Sequence, residues 1–373
     1  MKHLIVLLLI SFLGTALIAA DPQPLAIGAA APDFKLPGVD GKTYTLNDFS
    51  GADILVIVFT CNHCPTAQAY EQRIIHLSND YIARGVQVVA ISPNDPNAVR
   101  LDELGYSDIG DSFEEMKMRA EDKMYPFPYL YDGKTQATAL AYGPIATPHI
   151  FIFDKARKLR FQGRFDNMEN PNKLPSETDT KNALDALLAG KPVPVETTKV
   201  FGCSVKWASK NNQVEEFKKK WAAESVSIEK IDEAGLKAVA KNKDGEKLRL
   251  INVWATWCGP CVTEFPDLIT INRMYRGRDF EMVTISADVP EQEEKALKFL
   301  KKQESSTTNY LFSLDDKYKL IESLDPEWGG ALPYTMLVEP GGKVVYRKQG
   351  PIDVSELKKA IVDHPMIGRV YNN

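Results

Sequence analysis

The run Leu248-Arg249-Leu250-Ile251-Asn252-Val253-Trp254-Ala255, followed by Trp257-Cys258-Gly259-Pro260-Cys261, decides how the chain is read. The apolar run predicts a strand, Trp257–Cys261 a turn, and the amphipathic stretch from Val262 a helix. Two cysteines three apart at a helix start suit thiol redox chemistry. The first lies near unpaired backbone N–H groups and the positive end of the helix dipole, so its thiolate is stabilised. The second is one turn away and can close a disulfide. A similar arrangement occurs earlier, at Cys61-Asn62-His63-Cys64, directly after the apolar run Asp53–Phe59.

The 373 residues predict two domains, or three. A net charge of -5 gives no support for nucleic-acid binding. Residues 1–20 have a basic start at Lys2, an almost wholly apolar Leu4–Leu17 and small residues at Ala19-Ala20. This pattern predicts a secretory signal peptide cut near Ala20. An uncleaved anchor is the alternative, and the short apolar core argues against it. Beyond residue 20 no apolar run approaches spanning length, so no stable membrane insertion is expected after cleavage. The expected location is therefore periplasmic or secreted. Export bears on the five cysteines, since dithiols outside the cytosol tend to oxidise unless a pathway reduces them. Four form the two C-x-x-C pairs and Cys203 is left over; a structural disulfide framework would spread them through a short chain.

In the first half, residues 33–46 predict a hairpin about Gly38–Gly41, and Asp53–Phe59 a central strand buried on both faces. A helix over 65–84 and a strand Val86–Ile91 follow. Residues 93–126 are polar, with helical stretches near 96–104 and 112–123, and read as an insertion on the active-site side. Strands at 129–131, 150–153 and 159–165 and a helix at 178–189 close the unit. Residues 190–212, with Pro192, Pro194 and no strong periodicity, read as the inter-domain connection. After a helix at 213–223 the order repeats: a strand near 226–231, a helix at 233–242 and the strand at 248–255 lead to a helix at 259–275. Then come strand 280–287, helix 290–303, strand 310–314, strands at 334–339 and 344–349, and a helix at 353–363. The boundaries that follow are 1–20 signal peptide, 21–190 first domain, 191–224 linker with Cys203, and 225–373 second domain. The fold class expected is α/β: two related domains, each a central mixed β-sheet flanked by helices.

Residues 225–365 resemble the TlpA/ResA-like branch of the thioredoxin family, through Trp257–Cys261, Glu264-Phe265-Pro266 and Leu332-Pro333. Residues 25–206 resemble a peroxiredoxin-like redoxin family related to the AhpC/TSA group. The carriers there are Phe59–Pro65, Pro93-Asn94-Asp95, Thr147–Phe151 and Phe201-Gly202-Cys203-Ser204-Val205-Lys206-Trp207. The resemblance implies two thioredoxin-like domains and a thiol-disulfide oxidoreductase acting on protein thiols and disulfides. It also implies a membrane thiol reductase as electron donor. Cys258 is then the nucleophile and Cys261 the resolving thiol. Glu264, one turn on, would move the resolving proton or be a solvated helix charge; Trp257 would shield the disulfide or pack. Pro148 and Pro333 are expected to be cis and to face the dithiols, with Thr147 and Leu332 offering backbone groups to an extended substrate. The alternative for Pro148 is an ordinary proline opening a strand.

The peroxidase members of the second group carry a Pro-x-x-x-Thr/Ser-x-x-Cys loop. Counting back from Cys61 gives Val58 and Ile54, and from Cys64 gives Cys61 and Ile57, so neither frame matches. His63 resembles the layout of oxidising or isomerising thioredoxin-fold proteins, where an imidazole stabilises the Cys61 thiolate, while Gly259-Pro260 resembles reducing ones. The first site is thus expected to be more oxidising than the second, by on the order of 50–100 mV. Electrons would run from Cys258/Cys261 to Cys61/Cys64 where the sites meet. Cys203 is either a resolving thiol or simply buried. Cys61, His63, Cys64 and His149 could alternatively hold Cu(I) or zinc. Covalent haem is excluded because Pro65, not histidine, follows Cys64. No cofactor is expected. The competing readings are a thiol-dependent peroxidase with a built-in reductant and a copper-binding chaperone.

Overall fold

A computed structural model describes residues 22–243 and 245–368; the expected signal peptide at 1–20 lies outside them. The first domain contains the hairpin β1 (Lys35–Pro37) and β2 (Thr43–Thr45), then β3 (Ile54–Phe59), α1 (Pro65–Tyr81) and β4 (Val86–Ser92). It continues with α2 (Phe113–Asp122), β5 (Tyr129–Tyr131), α3 (Ala137–Tyr142), β6 (His149–Phe153), β7 (Leu159–Gly163) and α4 (Asp179–Leu188). Helix α5 (Asn211–Ala222) leads to the second domain: β8 (Glu229–Ile231), α6 (Glu233–Lys241), β9 (Leu248–Trp254), α7 (Gly259–Tyr275), β10 (Phe280–Ser286) and α8 (Glu293–Lys302). It ends with β11 (Thr308–Phe312), α9 (Lys317–Leu324), β12 (Tyr334–Val338), β13 (Val344–Gln349) and α10 (Val354–Val362).

The first sheet has the order β5-β4-β3-β6-β7 and the second β13-β12-β9-β10-β11-β8. Strand β3 is parallel to β4 and antiparallel to β6, and β9 is likewise parallel to β10 and antiparallel to β12. Both are therefore mixed sheets with the C-x-x-C strand at the centre. Alternation along β3 explains why it is apolar throughout. Ile54, Val56 and Val58 face a core with Tyr70, Ile74 and Leu77 of α1 and Leu184 of α4. Leu55, Ile57 and Phe59 face the opposite core with Phe34, Tyr142, Phe151 and Trp207. In β9, Leu248, Leu250 and Trp254 pack on α7, α8 and α10, while Ile251 and Val253 pack with Leu236 of α6 and Leu320 of α9. Helices α3 and α9 were not expected from the sequence.

The connection departs from a free linker. Thr197 bridges Gln162 and Cys203 bridges Thr147, while Val205 and Trp207 are buried in the first core. The prolines break periodicity, but the apolar residues beyond them fold back onto the first sheet because their burial favours it. The chain leaves this domain only near α5.

The domains meet at the last turn of α7. Leu101 and Leu104, in a 3-10 turn of the 93–126 insertion, pack against the second domain's core. The Tyr275 hydroxyl donates to the Ser107 carbonyl at 2.8 Å, and Arg278 donates to the Gly105 carbonyl at 2.9 Å while lying 3.8 Å over the Tyr106 ring. Gly105 sits so close that an added Cβ would stand 2.8 Å from the Met274 carbonyl oxygen. Gly105→Ala is accordingly expected to weaken the domain contact and lower thermal stability by about 1–3 kcal/mol. An unchanged melting curve would contradict this account of the contact.

Candidate active sites

Each dithiol lies where its central strand ends and the following helix begins, but the helices start in different registers. In the second domain Cys258 is the N-cap residue of α7, and its Sγ accepts from the Cys261 N–H at 3.3 Å. Cys258 and Cys261 form a disulfide with an S–S distance of 2.02 Å. In the first domain the N-cap is Cys64, and its Sγ accepts from the Ala67 N–H at 3.4 Å. The favourable end of the helix dipole therefore acts on the first cysteine of one site and on the second cysteine of the other.

In the second site both cysteines are buried, and the exposed part is the rim at Trp257. Trp257 is 54% exposed, with the Lys317 ammonium 5.0 Å from its ring centre. Below the disulfide, Glu264 is buried, so it is not the solvated helix charge considered above. It accepts from the Ile352 N–H at 2.9 Å and from Asn252 Nδ2 at 3.3 Å; Asn252 Nδ2 also donates to Thr335 Oγ1 at 3.0 Å. Burial pushes the Glu264 carboxyl above its usual range, against the lowering effect of these hydrogen bonds. The Leu332–Pro333 peptide is cis. Among the described residues, no isolated β-bridge reaches Leu332.

The first site is enclosed. Cys61, Cys64 and His63 are buried, and Cys203 packs against the cysteine pair. The Thr147–Pro148 peptide is cis. Cys61 Sγ lies 3.3 Å from Thr147 Oγ1, and the Cys64 thiol donates to the Thr147 carbonyl at 3.2 Å. His63 Nδ1 lies 2.5 Å from Asp111 Oδ2. The other Asp111 oxygen accepts from the Asn62 N–H at 2.8 Å and the His63 N–H at 3.1 Å, while Asn94 Nδ2 donates to Oδ2 at 2.7 Å. Asp111 and Asn94 belong to the 93–126 insertion, which thus bears on the dithiol as expected. Neither was identified as a site residue from sequence. Asn94 lies in the quoted Pro93-Asn94-Asp95 motif, but Asp111 is 48 positions from His63 with no motif of its own.

Burial would lower the His63 pKa, but the Asp111 charge and hydrogen bond outweigh it and raise it above 6.5. Burial likewise opposes ionisation of Asp111, and His63 more than offsets it, holding the carboxyl below 3.8. Burial, the hydrogen bond to Cys64 and the Asp111 charge push Cys61 well up. Cys64 moves well down: burial opposes this, but hydrogen bonds from Cys203 and Cys61 and the His63 charge prevail. The expected stabilisation of the Cys61 thiolate by His63 is thus corrected: the imidazolium and the helix start both favour a Cys64 thiolate.

The soft metal set also changes. Among the described residues, Cys61, His63 and Asp111 bring ligand atoms within 4.8 Å of one another, without Cys64 or His149. His149 instead lies with Nε2 2.9 Å from Gln162 Oε1, and burial lowers its pKa to about 4. The direct His63–Asp111 pairing accounts for two members of the cluster. The dithiols themselves lie in separate apolar clusters. Seventeen-residue α7 places Cys258 roughly 25 Å along the helix from the Tyr275 end that touches the first domain.

The AhpC/TSA family matches residues 27–162 and the Redoxin family residues 212–361. The chain is a tandem of two thioredoxin-like redoxin domains. Curated relatives include the thiol:disulfide interchange protein HelX of Rhodobacter capsulatus, 31% identical over 121 residues, covering 32% of this chain and 61% of HelX. Another is the thiol-disulfide oxidoreductase ResA of Geobacillus thermodenitrificans, 25% identical over 165 residues, covering 43% of this chain and 83% of that protein. Among solved structures, an uncharacterized conserved protein of Geobacillus kaustophilus is 41% identical, covering 49% of this chain and 92% of its own, with a TM-score of 0.44. A hypothetical protein of Sinorhizobium meliloti 1021 is 32% identical, covering 50% and 97% respectively, with a TM-score of 0.45. The chain thus spans less than two thirds of HelX.

The His63–Asp111 pair gives the first site a pH dependence. Stability from the raised His63 pKa is fully present below the unfolded value of 6.5 and is lost as pH rises through the higher folded value. Stability from the lowered Asp111 pKa is present above 3.8 and is lost as pH falls through the folded value. His63→Ala breaks a buried pair and is expected to cost about 3–5 kcal/mol near pH 6, and less at pH 9. Denaturant titrations of both proteins at the two pH values check this; an equal penalty at both would show that the pair is not ionised.

Proposed function

We propose that the chain is an exported thiol-disulfide oxidoreductase that reduces protein disulfides, with Cys258/Cys261 as its substrate-facing site. The observation carrying this reading is the placement of Cys258 at the N-cap of α7, beside an exposed Trp257 and above a buried Glu264. The relatives named as thiol:disulfide interchange proteins and oxidoreductases support the same chemistry. Reduced Cys258 attacks one sulfur of a substrate disulfide, forming a mixed disulfide and releasing the first substrate thiolate. Cys261 then attacks Cys258 Sγ, re-forming the Cys258–Cys261 bond and releasing the second. Glu264 takes the Cys261 proton, and its raised pKa brings it closer to the working pH. Trp257, Leu332 and Pro333 form the surface for an extended substrate strand. A membrane thiol reductase restores the dithiol.

Cys61/Cys64 acts as a second, more oxidising dithiol, because His63 favours the Cys64 thiolate and so the reduced form. Its location with the rest of the mature chain is periplasmic or secreted, following removal of residues 1–20.

Cys261→Ser is expected to trap substrate proteins on Cys258 as mixed disulfides that a reductant releases. Recovery of none from an envelope extract would overturn the reading. Glu264→Gln keeps the side chain's shape and one of its two acceptor oxygens, and should slow resolution by on the order of a hundredfold and flatten its pH profile. An unchanged rate and profile would leave Glu264 with a purely structural role.

A further inference from the structure

Thr147 is the residue expected to present its backbone to an extended substrate, yet that backbone is already paired. Its N–H donates to the Cys203 carbonyl at 2.9 Å, and its hydroxyl donates to the same oxygen at 3.4 Å. The two residues form an antiparallel bridge. Gly202 makes the approach possible: its φ is +143°, and an added Cβ would stand 2.1 Å from the Thr147 carbonyl oxygen.

The segment is anchored on both sides of Cys203. Before it, the Phe201 ring lies 6.1 Å from that of Tyr70 on α1. After it, the Lys206 N–H donates to Asn94 Oδ1 at 2.9 Å, and the Lys206 carbonyl accepts from the Asp95 N–H and from Gln136 Nε2, each at 2.9 Å. Val205 and Trp207 are buried. The segment thus passes along Thr147, paired with it by an isolated antiparallel bridge at Cys203, and it brings a third thiol onto two buried ones.

We propose that residues 201–207 occupy, in cis, the place of a substrate strand, and that Cys203 is the built-in exchange partner of Cys64. The inference rests on the reading of Cys61/Cys64 as an exchanging dithiol. When a protein disulfide has oxidised that pair, the Cys203 thiolate attacks Cys64 Sγ. The Cys64–Cys203 bond forms and the Cys61–Cys64 bond breaks. Cys61 leaves as a thiolate and takes up the proton that Cys203 gave up. No electrons enter or leave, so the step needs no further oxidant. It moves the disulfide from the enclosed pair to the half-exposed Cys203, where an incoming thiol can reach it.

The test uses the mature full-length protein, reduced, then oxidised with diamide and alkylated, with disulfide-linked peptides mapped by mass spectrometry. The same is done for Cys61→Ser, which leaves Cys64 and Cys203 as the first domain's cysteines. The expected result is a Cys203 cross-link to the Cys61/Cys64 peptide in the parent and a Cys64–Cys203 bond as the main first-domain product in Cys61→Ser. Gly202→Val should deplete the cross-link at least fivefold while sparing the Cys61–Cys64 bond. Formation of Cys61–Cys64 alone in the parent, with Cys203 fully alkylated in both proteins, would overturn this inference and leave the dithiol reading intact. Absence of every disulfide among the three would overturn both.

Discussion

The first site depends on Thr147. Its carbonyl receives the Cys64 thiol, its hydroxyl touches Cys61 and its N–H holds the Cys203 carbonyl. One residue just before β6 thus fixes three thiols relative to one another. The strand can do this because β6 is hydrogen-bonded to β3, whose end delivers Cys61. The tail is tied to the same site from the other side: Asn94 donates to Asp111 and accepts from Lys206, so the group holding His63 also holds the segment carrying Cys203.

The two domains share a five-strand core, extended in the second by β8, and use it differently. A helix that starts at Gly259 puts Cys258 at its N-cap, next to the exposed Trp257. A helix that starts at Pro65 puts Cys64 there, inside the protein. The same dipole therefore acts on the first thiol of one pair and on the second thiol of the other. Their surroundings differ to match. A buried carboxyl one turn after Cys261 suits proton movement, whereas an ion pair beside the first dithiol suits stabilisation of a thiolate. The domain contact lies at the far end of α7 from Cys258.

The sheets were legible in the sequence because burial on both faces leaves continuous apolar runs, as in Ile54–Phe59 and Leu248–Trp254. The dithiols were legible because their spacing is local. Glu264 could be named from the family resemblance and its place one turn after Cys261, but its burial could not, since that depends on Asn252 and the Ile352 backbone. Asp111 was illegible for the same reason: an isolated acidic residue gains meaning only when folding brings it to His63. The 191–212 stretch misled through Pro192 and Pro194, which mask periodicity without preventing Val205 and Trp207 from joining a core. Helix α3 is one and a half turns long, too short for a periodic signal to emerge.

The central claim is that one chain carries two unequal dithiols, the second more reducing than the first. Equilibration of the intact protein in graded thiol–disulfide buffers, with alkylation and mass spectrometry reading each pair separately, measures this directly. The account predicts two midpoints, with Cys258/Cys261 the more negative by on the order of 50–100 mV. Coincident midpoints, or the reverse order, would contradict it.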